Sequence, residues 1–301
     1  MVDSKPDVPI HIPIMVQEVL REMAFQDGDI VVDGTLGLGG HAREIANQIG
    51  KNGVLIGMDQ DENAIKIAAE TLKNVPCKVI LIHGRYSEIN IHLAKHSISK
   101  INRIFLDIGV SSLQIDSNTR GFSFRHDAPL DMRMNLSSCL TAAEWIRTTS
   151  EEEMARVFYV YGEERFSRRI AKKIAEIRKK CAIETTIQLA ELVRSCIPRS
   201  GRIDPATRVF QAIRIVVNDE LGELERGLSS GFRILAEFGR IGIITFHSLE
   251  DRIVKKQFRL WEDQKAGIRI NRKAIFPSIA EQHQNRRSRS AKLRVLEKSV
   301  L

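Results

Sequence analysis

Hydrophobic positions in the first hundred residues alternate between two patterns. Short continuous apolar runs at Ile30–Val32, Val54–Met58, Lys78–Ile82 and Arg103–Leu106 predict buried strands. Between them, His41–Ile49 and Glu62–Leu72 repeat at helical spacing. Strands alternating with helices predict an α/β fold, a doubly wound and mostly parallel sheet covered on both faces. From Asn118 the pattern changes. Thr141–Ile146, Glu151–Tyr159, Arg165–Lys179 and Ile187–Cys196 are all helical in period. After the turn signal Gly201-Arg202-Ile203-Asp204-Pro205, one long helix is predicted from about Ala206 to Phe238, with Pro205 in its first turn and Gly239 at its end. Arg240–Phe246 then reads as a buried strand, Leu249–Trp261 as a helix and Lys292–Glu297 as a strand. The expected organisation is an α/β domain built from residues 1–117 and 216–301, with a helical insertion over residues 118–215.

Composition leaves this picture intact and adds a partner. With 43% hydrophobic and 28% charged residues among 301, the chain is an ordinary globular one, which excludes disordered and collagen-like classes. Its longest apolar runs, such as Ile241–Phe246, fall far short of the roughly 20 residues a membrane-spanning helix needs. Met1–Ile10 has no apolar core and few basic residues, so neither a signal nor a transit peptide is expected; a cytoplasmic protein without a membrane partner is. The cysteines, Cys77, Cys139, Cys181 and Cys196, form no C-x-x-C pair and are expected to be reduced thiols, with no metal. The net charge of +8 is unevenly placed. Asn118–Ile215 holds 18 Lys/Arg against 12 Asp/Glu, and the C-terminus adds Arg286, Arg287, Arg289, Lys292, Arg294 and Lys298 against Glu297. Two basic zones point to a nucleic acid, although most charge runs are merely solvated helix faces.

The first strand runs into a helix through Val31-Val32-Asp33-Gly34-Thr35-Leu36-Gly37-Leu38-Gly39-Gly40-His41-Ala42. Glycines let such a loop turn sharply and approach a ligand, and the helix N-terminus offers free N–H groups. Gly37–Ala42 fits the dinucleotide pattern G-x-G-x-x-G/A, a weak signal alone. From Asp33 the same loop reads Asp-x-Thr-x-Gly-x-Gly, close to the acidic Gly-rich loop of S-adenosylmethionine-dependent methyltransferases. Asp59 ends the second strand, where a carboxylate can accept from both ribose hydroxyls in either class. Asp33 favours S-adenosylmethionine, because an acid there would repel a pyrophosphate and attract a cationic amino-acid ligand.

The fourth strand ends in Asp107-Ile108-Gly109-Val110-Ser111-Ser112-Leu113-Gln114. At the carboxyl edge of such a sheet, Asp107 is a candidate to contact cofactor or substrate, or else to cap the following loop. At this point the chain resembles the RsmH (MraW) family of ribosomal RNA small-subunit methyltransferases. The resemblance rests on His11-Ile12-Pro13-Ile14, Glu18-Val19-Leu20, Asp33–Ala42, Asp107–Gln114 with Asp116, Arg120-Gly121-Phe122-Ser123-Phe124 and Pro129–Met134. Tyr161–Phe166, Asp204–Arg208 with Phe210-Gln211-Ala212, Asn218-Asp219-Glu220-Leu221, Phe246–Arg252 and Arg287–Arg294 continue it over nearly the whole chain. Ala128 and Asn135 stand where the family more often has Gly and Asp.

The resemblance implies a class I, Rossmann-like methyltransferase fold with a helical insertion. It implies N4-methylation of a cytidine in the decoding region (P site) of 16S ribosomal RNA, within the small ribosomal subunit, with S-adenosyl-L-methionine as donor. Carried over by motif, cofactor contacts fall on Gly39, Gly40, His41, Asp59, Tyr86, Asp107 and Gln114, beside Asp33 and Gly37 read from the loop itself. Tyr86 replaces a more usual Phe and keeps a flat ring for the adenine.

Cytosine N4 is a weak nucleophile, so positioning and acceptors for its hydrogens are needed. The Asp/Asn/Ser-Pro-Pro-aromatic motif of many amino methyltransferases is absent, and Asp107-Ile108-Gly109-Val110 takes its place. Asp107 is the candidate catalytic residue, with contact to the amine, to the cofactor or to both left open by the missing motif. His247, in Phe246–Arg252, is either a proton acceptor or a hydrogen-bonded structural histidine. Arg120, Phe122, Phe124 and Arg125 could hold the flipped base or its phosphates, with hinge packing the alternative for the two phenylalanines. Arg168, Arg169, Lys172 and Lys173 recur at helical spacing as a phosphate-binding face. Two competing readings remain. A DNA amino-methyltransferase is disfavoured by the missing Pro-Pro motif. A non-catalytic RNA-binding assembly factor is disfavoured by the retained Asp33, Gly37, Gly39, Asp59 and Asp107.

Overall fold

A computed structural model describes residues 13–197 and 204–300. His11 and Ile12 of the first motif and Gly201–Ile203 of the turn lie outside the described residues. The chain divides into two compact units, one formed by residues 1–109 and 227–301 and the other by residues 110–226. These limits lie at different residues from 117/118 and 215/216, because α5 and the start of α11 pack with the second unit.

The first unit opens with α1 (Val16–Met23), β1 (Ile30–Asp33), α2 (Gly40–Ile49), β2 (Val54–Asp59) and α3 (Glu62–Thr71). It continues with β3 (Lys78–His83), a 3-10 turn at Tyr86–Glu88, α4 (Ile89–Lys95) and β4 (Ile101–Asp107). The second unit holds α5 (Ser112–Asp116), α6 (Ala142–Thr148), α7 (Glu151–Val160), α8 (Ser167–Ile177), α9 (Thr186–Cys196) and α10 (Ala206–Asn218). α11 (Glu220–Ile234) leads back to the first unit, which ends with β5 (Leu235–Thr245), α12 (Ser248–Asp263), β6 (Gly267–Arg269), α13 (Ile279–Gln284) and β7 (Lys292–Lys298). Among the described residues no helix is long and apolar enough to cross a membrane.

The strands form one sheet in the order β3-β2-β1-β4-β5-β7-β6. β1 to β5 run parallel; β7 is antiparallel to β5 and to β6. Because the order reverses between β1 and β4, the carboxyl edge of these strands is a topological switch point, where ligands bind in open α/β sheets. The parallel strands are apolar on both faces, and Val31, Leu55 and Phe105 are fully buried beneath α1 and α2. The sheet is therefore the α/β fold expected from the alternating pattern.

The long helix expected over Ala206–Phe238 is instead two helices and the start of a strand. Asp219 adopts a left-handed conformation (φ 52°, ψ 40°) that closes α10 and starts α11. Leu235–Gly239 then leaves the helix and enters β5, with Leu235 paired to Ile101 of β4. The second unit has its own core, in which Phe158, Ile170, Ile174, Leu189 and Ile213 are wholly buried. Its helices carry local start signals: the side chains of Thr141, Ser150 and Thr185 accept the amides of Glu144, Glu153 and Gln188.

Candidate active site

Three carboxylates stand at the carboxyl ends of three neighbouring strands: Asp59 on β2, Asp33 on β1 and Asp107 on β4. Asp33 lies opposite Gly57 and Phe105, so Asp59 and Asp107 reach two residues farther along the edge. Asp33 is 1% exposed. Its Oδ1 accepts the Thr35 amide at 3.1 Å and its Oδ2 has no hydrogen-bond partner. Burial lifts its pKa to about 7, with Asp59 adding and the Thr35 N–H opposing.

Asp59 organises the loop. Its Oδ2 accepts the Gly37 amide at 2.8 Å and its Oδ1 the Asp61 amide at 2.9 Å. Burial raises it to about 6 against those two bonds. Gly37 (φ 52°) and Gly39 (φ 82°) occupy the left-handed region, which lets the loop double back before α2 starts at Gly40. Gly40 lies against Pro13, whose ring atoms would stand 3.3 Å from a Cβ added there.

Asp107 carries the most perturbed carboxyl of the three. Burial, then the charges of Asp33 and Glu250, push its pKa to about 8. Its amide donates to Thr35 Oγ1 at 2.6 Å, while its own Oδ1 has no hydrogen-bond partner. Oδ2 stands 3.6 Å from His41 Nδ1. His41 Nε2 is 2.7 Å from the Ile14 carbonyl oxygen, which can only accept, so this nitrogen carries the ring hydrogen. In the neutral ring Nδ1 then presents a lone pair to Asp107. The His41 ring also packs on Phe105, with centroids 4.8 Å apart. The His41 side chain is thus turned towards Asp107 and the segment before α1.

The remaining candidates are placed as follows. Tyr86 is half-buried after β3, and its ring lies so close to Gly227 that a Cβ there would come within 2.3 Å of it. Gln114 belongs to the second unit, where it is buried and completes the capping box of α5 with Ser111. His247 caps α12. Its Nδ1 accepts the Glu250 amide at 3.4 Å, and Glu250 Oε2 accepts the amides of Phe246 and His247 at 2.8 and 3.2 Å. Nε2 lies 3.0 Å from Glu250 Oε1 but off the hydrogen-bonding direction. His247 thus makes the hydrogen bond that its structural reading expects.

Arg120 differs from expectation. It is buried, and its guanidinium donates to the carbonyls of Arg133 and Met134, bracing that loop. Phe122 and Phe124 pack against the core of the second unit; Phe124 meets Phe210 edge-on at 4.8 Å and carries Arg194 over its face. Arg125, Arg168, Arg169, Lys172 and Lys173 are exposed. Half of the C-terminal basic zone is engaged within the fold: Lys292 and Arg294 face Asp251 at 3.5 and 2.7 Å, and Lys298 Nζ donates to the Phe232 and Leu235 carbonyls, while Arg286, Arg287 and Arg289 are exposed. Two site residues escaped the sequence reading. Both lie inside quoted motifs, and a His-x-x-Glu capping spacing marks Glu250, which is wholly buried.

Asp33 Oδ2 and Asp107 Oδ1 have no hydrogen-bond partner, and a cationic ligand at this edge would favour their ionised forms. A sulfonium-bearing amino acid is such a ligand, and Asp59 with the glycine loop suits its nucleoside. Fold and site together define an S-adenosylmethionine-dependent methyltransferase of the Rossmann-like class. The chain belongs to the MraW methylase family, whose model matches residues 9–299. It is 45% identical, over 96% of its length and 98% of the relative, to the ribosomal RNA small subunit methyltransferase H of Geotalea uraniireducens. Proteins of that name from Symbiobacterium thermophilum (44%, 96% of each chain) and a Wolbachia of Drosophila simulans (45%, 96% and 99%) are similarly close.

Proposed function

We propose that this chain methylates the exocyclic N4 of a cytidine in the decoding region of 16S ribosomal RNA, within the small subunit and in the cytoplasm. The bound cofactor supplies an electrophilic methyl group on its sulfonium. The observation that carries the reading is Asp107: a half-buried carboxyl at the end of β4, with one oxygen buried and unpartnered and a pKa raised to about 8. In its ionised form, which the charge of a bound sulfonium favours, such a group can accept a hydrogen from the amine, which favours a pyramidal nitrogen, and can take up the proton that the methylated amine must lose. The Thr35 hydroxyl oxygen accepts the Asp107 amide, which fixes the backbone that carries this acceptor. An amine that is a poor nucleophile gains most from this kind of positioning.

On this reading the first unit serves the cofactor and the second the RNA, through its exposed cations. An unpaired nucleotide enters a pocket more cheaply than one extruded from a duplex, which fits a substrate in a ribosomal RNA loop. The names of the relatives support ribosomal RNA over DNA. The test is transfer of a labelled methyl group from S-adenosylmethionine to unmethylated small subunits, naked 16S RNA and duplex DNA in parallel. Label in the ribosomal substrates is expected; label in DNA alone would overturn the assignment.

A further inference from the structure

The second unit carries a groove of about 920 Å³ between α7 and the start of α8. Its two walls differ in charge. On the α8 side stand Arg165, Arg168 and Arg169, all exposed. None has a carboxylate within ion-pair distance among the described residues, and Lys172 and Lys173 continue the same face one turn on. The opposite face of α8, Ile170, Ala171, Ile174 and Ala175, is buried in the core. These cations are therefore fixed outwards by the amphipathicity of the helix. On the α7 side stand Glu151 and Glu152, while Arg156 is held by Glu153. Tyr159, an aromatic ring 65% exposed, stands on the same α7 wall two turns on.

We infer that this groove binds a single-stranded RNA segment, with its phosphates along the Arg165–Lys173 face and one base stacked on Tyr159. The inference deepens the RNA reading above and rests on it. Free guanidinium groups and ammonium groups on one wall match a phosphate backbone. Carboxylates on the other wall repel phosphates and accept from base amino groups, so the strand has a preferred side for its bases. An aromatic ring in a cationic groove is the stacking platform that sequence-tolerant single-strand sites use, and a paired base cannot reach it. A peptide partner would instead be expected to meet paired charges, whereas Arg165, Arg168 and Arg169, which stand beside this ring, Ala155 and Phe166, have no carboxylate partner among the described residues.

The probe is a short unstructured oligocytidylate, with a duplex RNA of equal length as control. Tyr159→Ala is expected to weaken oligocytidylate binding roughly tenfold, within the range for loss of one stacked base. Tyr159→Phe should bind as the parent does, the slope of log affinity against log salt should be unchanged in both variants, and duplex binding should not respond. Oligocytidylate affinity equal to the parent's in Tyr159→Ala would overturn the inference, as would equal loss in Tyr159→Phe. Loss of binding to assembled subunits alone would mean that the groove receives a ribosomal protein. Methyl transfer is measured alongside. A Tyr159-dependent affinity with no methylated cytidine would leave the groove standing and remove the RNA target proposed above.

Discussion

Asp107→Asn should make the protein more stable at alkaline pH while nearly abolishing its turnover. In the unfolded chain Asp107 ionises near 3.8, whereas in the folded protein burial and the charges of Asp33 and Glu250 hold it protonated up to about 8. Below 3.8 both states carry the proton and the group contributes no pH dependence. Between 3.8 and about 8 only the folded state carries it, so stability falls as pH rises, and the loss levels off above about 8. At about 1.36 kcal/mol per pH unit, the ceiling on this loss is about 2 kcal/mol at pH 5 and about 6 kcal/mol at pH 8. Asparagine keeps the shape and titrates nowhere. The Tm difference between variant and parent should therefore grow by several degrees from pH 5 to pH 8, whatever its absolute value. Single-turnover methylation at saturating S-adenosylmethionine should meanwhile fall at least a hundredfold, on the order expected for a lost proton acceptor. A Tm difference independent of pH would refute the raised carboxyl, and near-normal single-turnover methylation would leave Asp107 a positioning residue.

Three further outcomes follow from the same geometry. Asp59→Ala removes the acceptor of the Gly37 and Asp61 amides together with the expected ribose contact, so S-adenosylmethionine affinity measured by calorimetry should drop about tenfold to a thousandfold. An unchanged Kd would take Asp59 out of the site. Reversing Arg168, Arg169, Lys172 and Lys173 to Glu should weaken RNA binding and flatten its salt slope by about 0.7 per lost phosphate contact, with cofactor affinity unchanged; equal loss of both would make the helix face structural. His41→Asn can still place a polar group opposite Asp107, whereas His41→Gln keeps only the reach to the Ile14 carbonyl. Turnover should therefore survive better in His41→Asn than in His41→Gln, and the reverse order would mean that His41 serves the fold.

Much of the site is legible in the sequence because a parallel sheet sends every strand end to one edge. Asp33, Asp59 and Asp107 each follow an apolar run, and strand order alone makes them neighbours. Three features were not legible, each decided by tertiary contact. Helical periodicity runs through Asp219, whose left-handed turn breaks it without a glycine or proline. Leu235-Ala236-Glu237 has good helix formers, yet pairing with β4 makes it strand. Charge counting could not show that Lys292 and Arg294 are drawn to Asp251, or that Arg120 lies buried among carbonyls. Phe122 and Phe124 went the same way, since an aromatic beside an arginine reads alike on a surface and in a core.

Nucleoside mass spectrometry reads the chemistry of the methylated atom directly. Small subunits lacking the modification would be incubated with the protein and isotopically labelled S-adenosylmethionine, and their 16S RNA cut into fragments that are separated before each is digested to nucleosides. The account predicts label in N4-methylcytidine, derived from a single decoding-region fragment and lost with Asp107→Asn. Label on cytosine C5, on a ribose 2′-oxygen or on adenosine would contradict it, as would N4-methylcytidine formed undiminished by the Asp107→Asn variant.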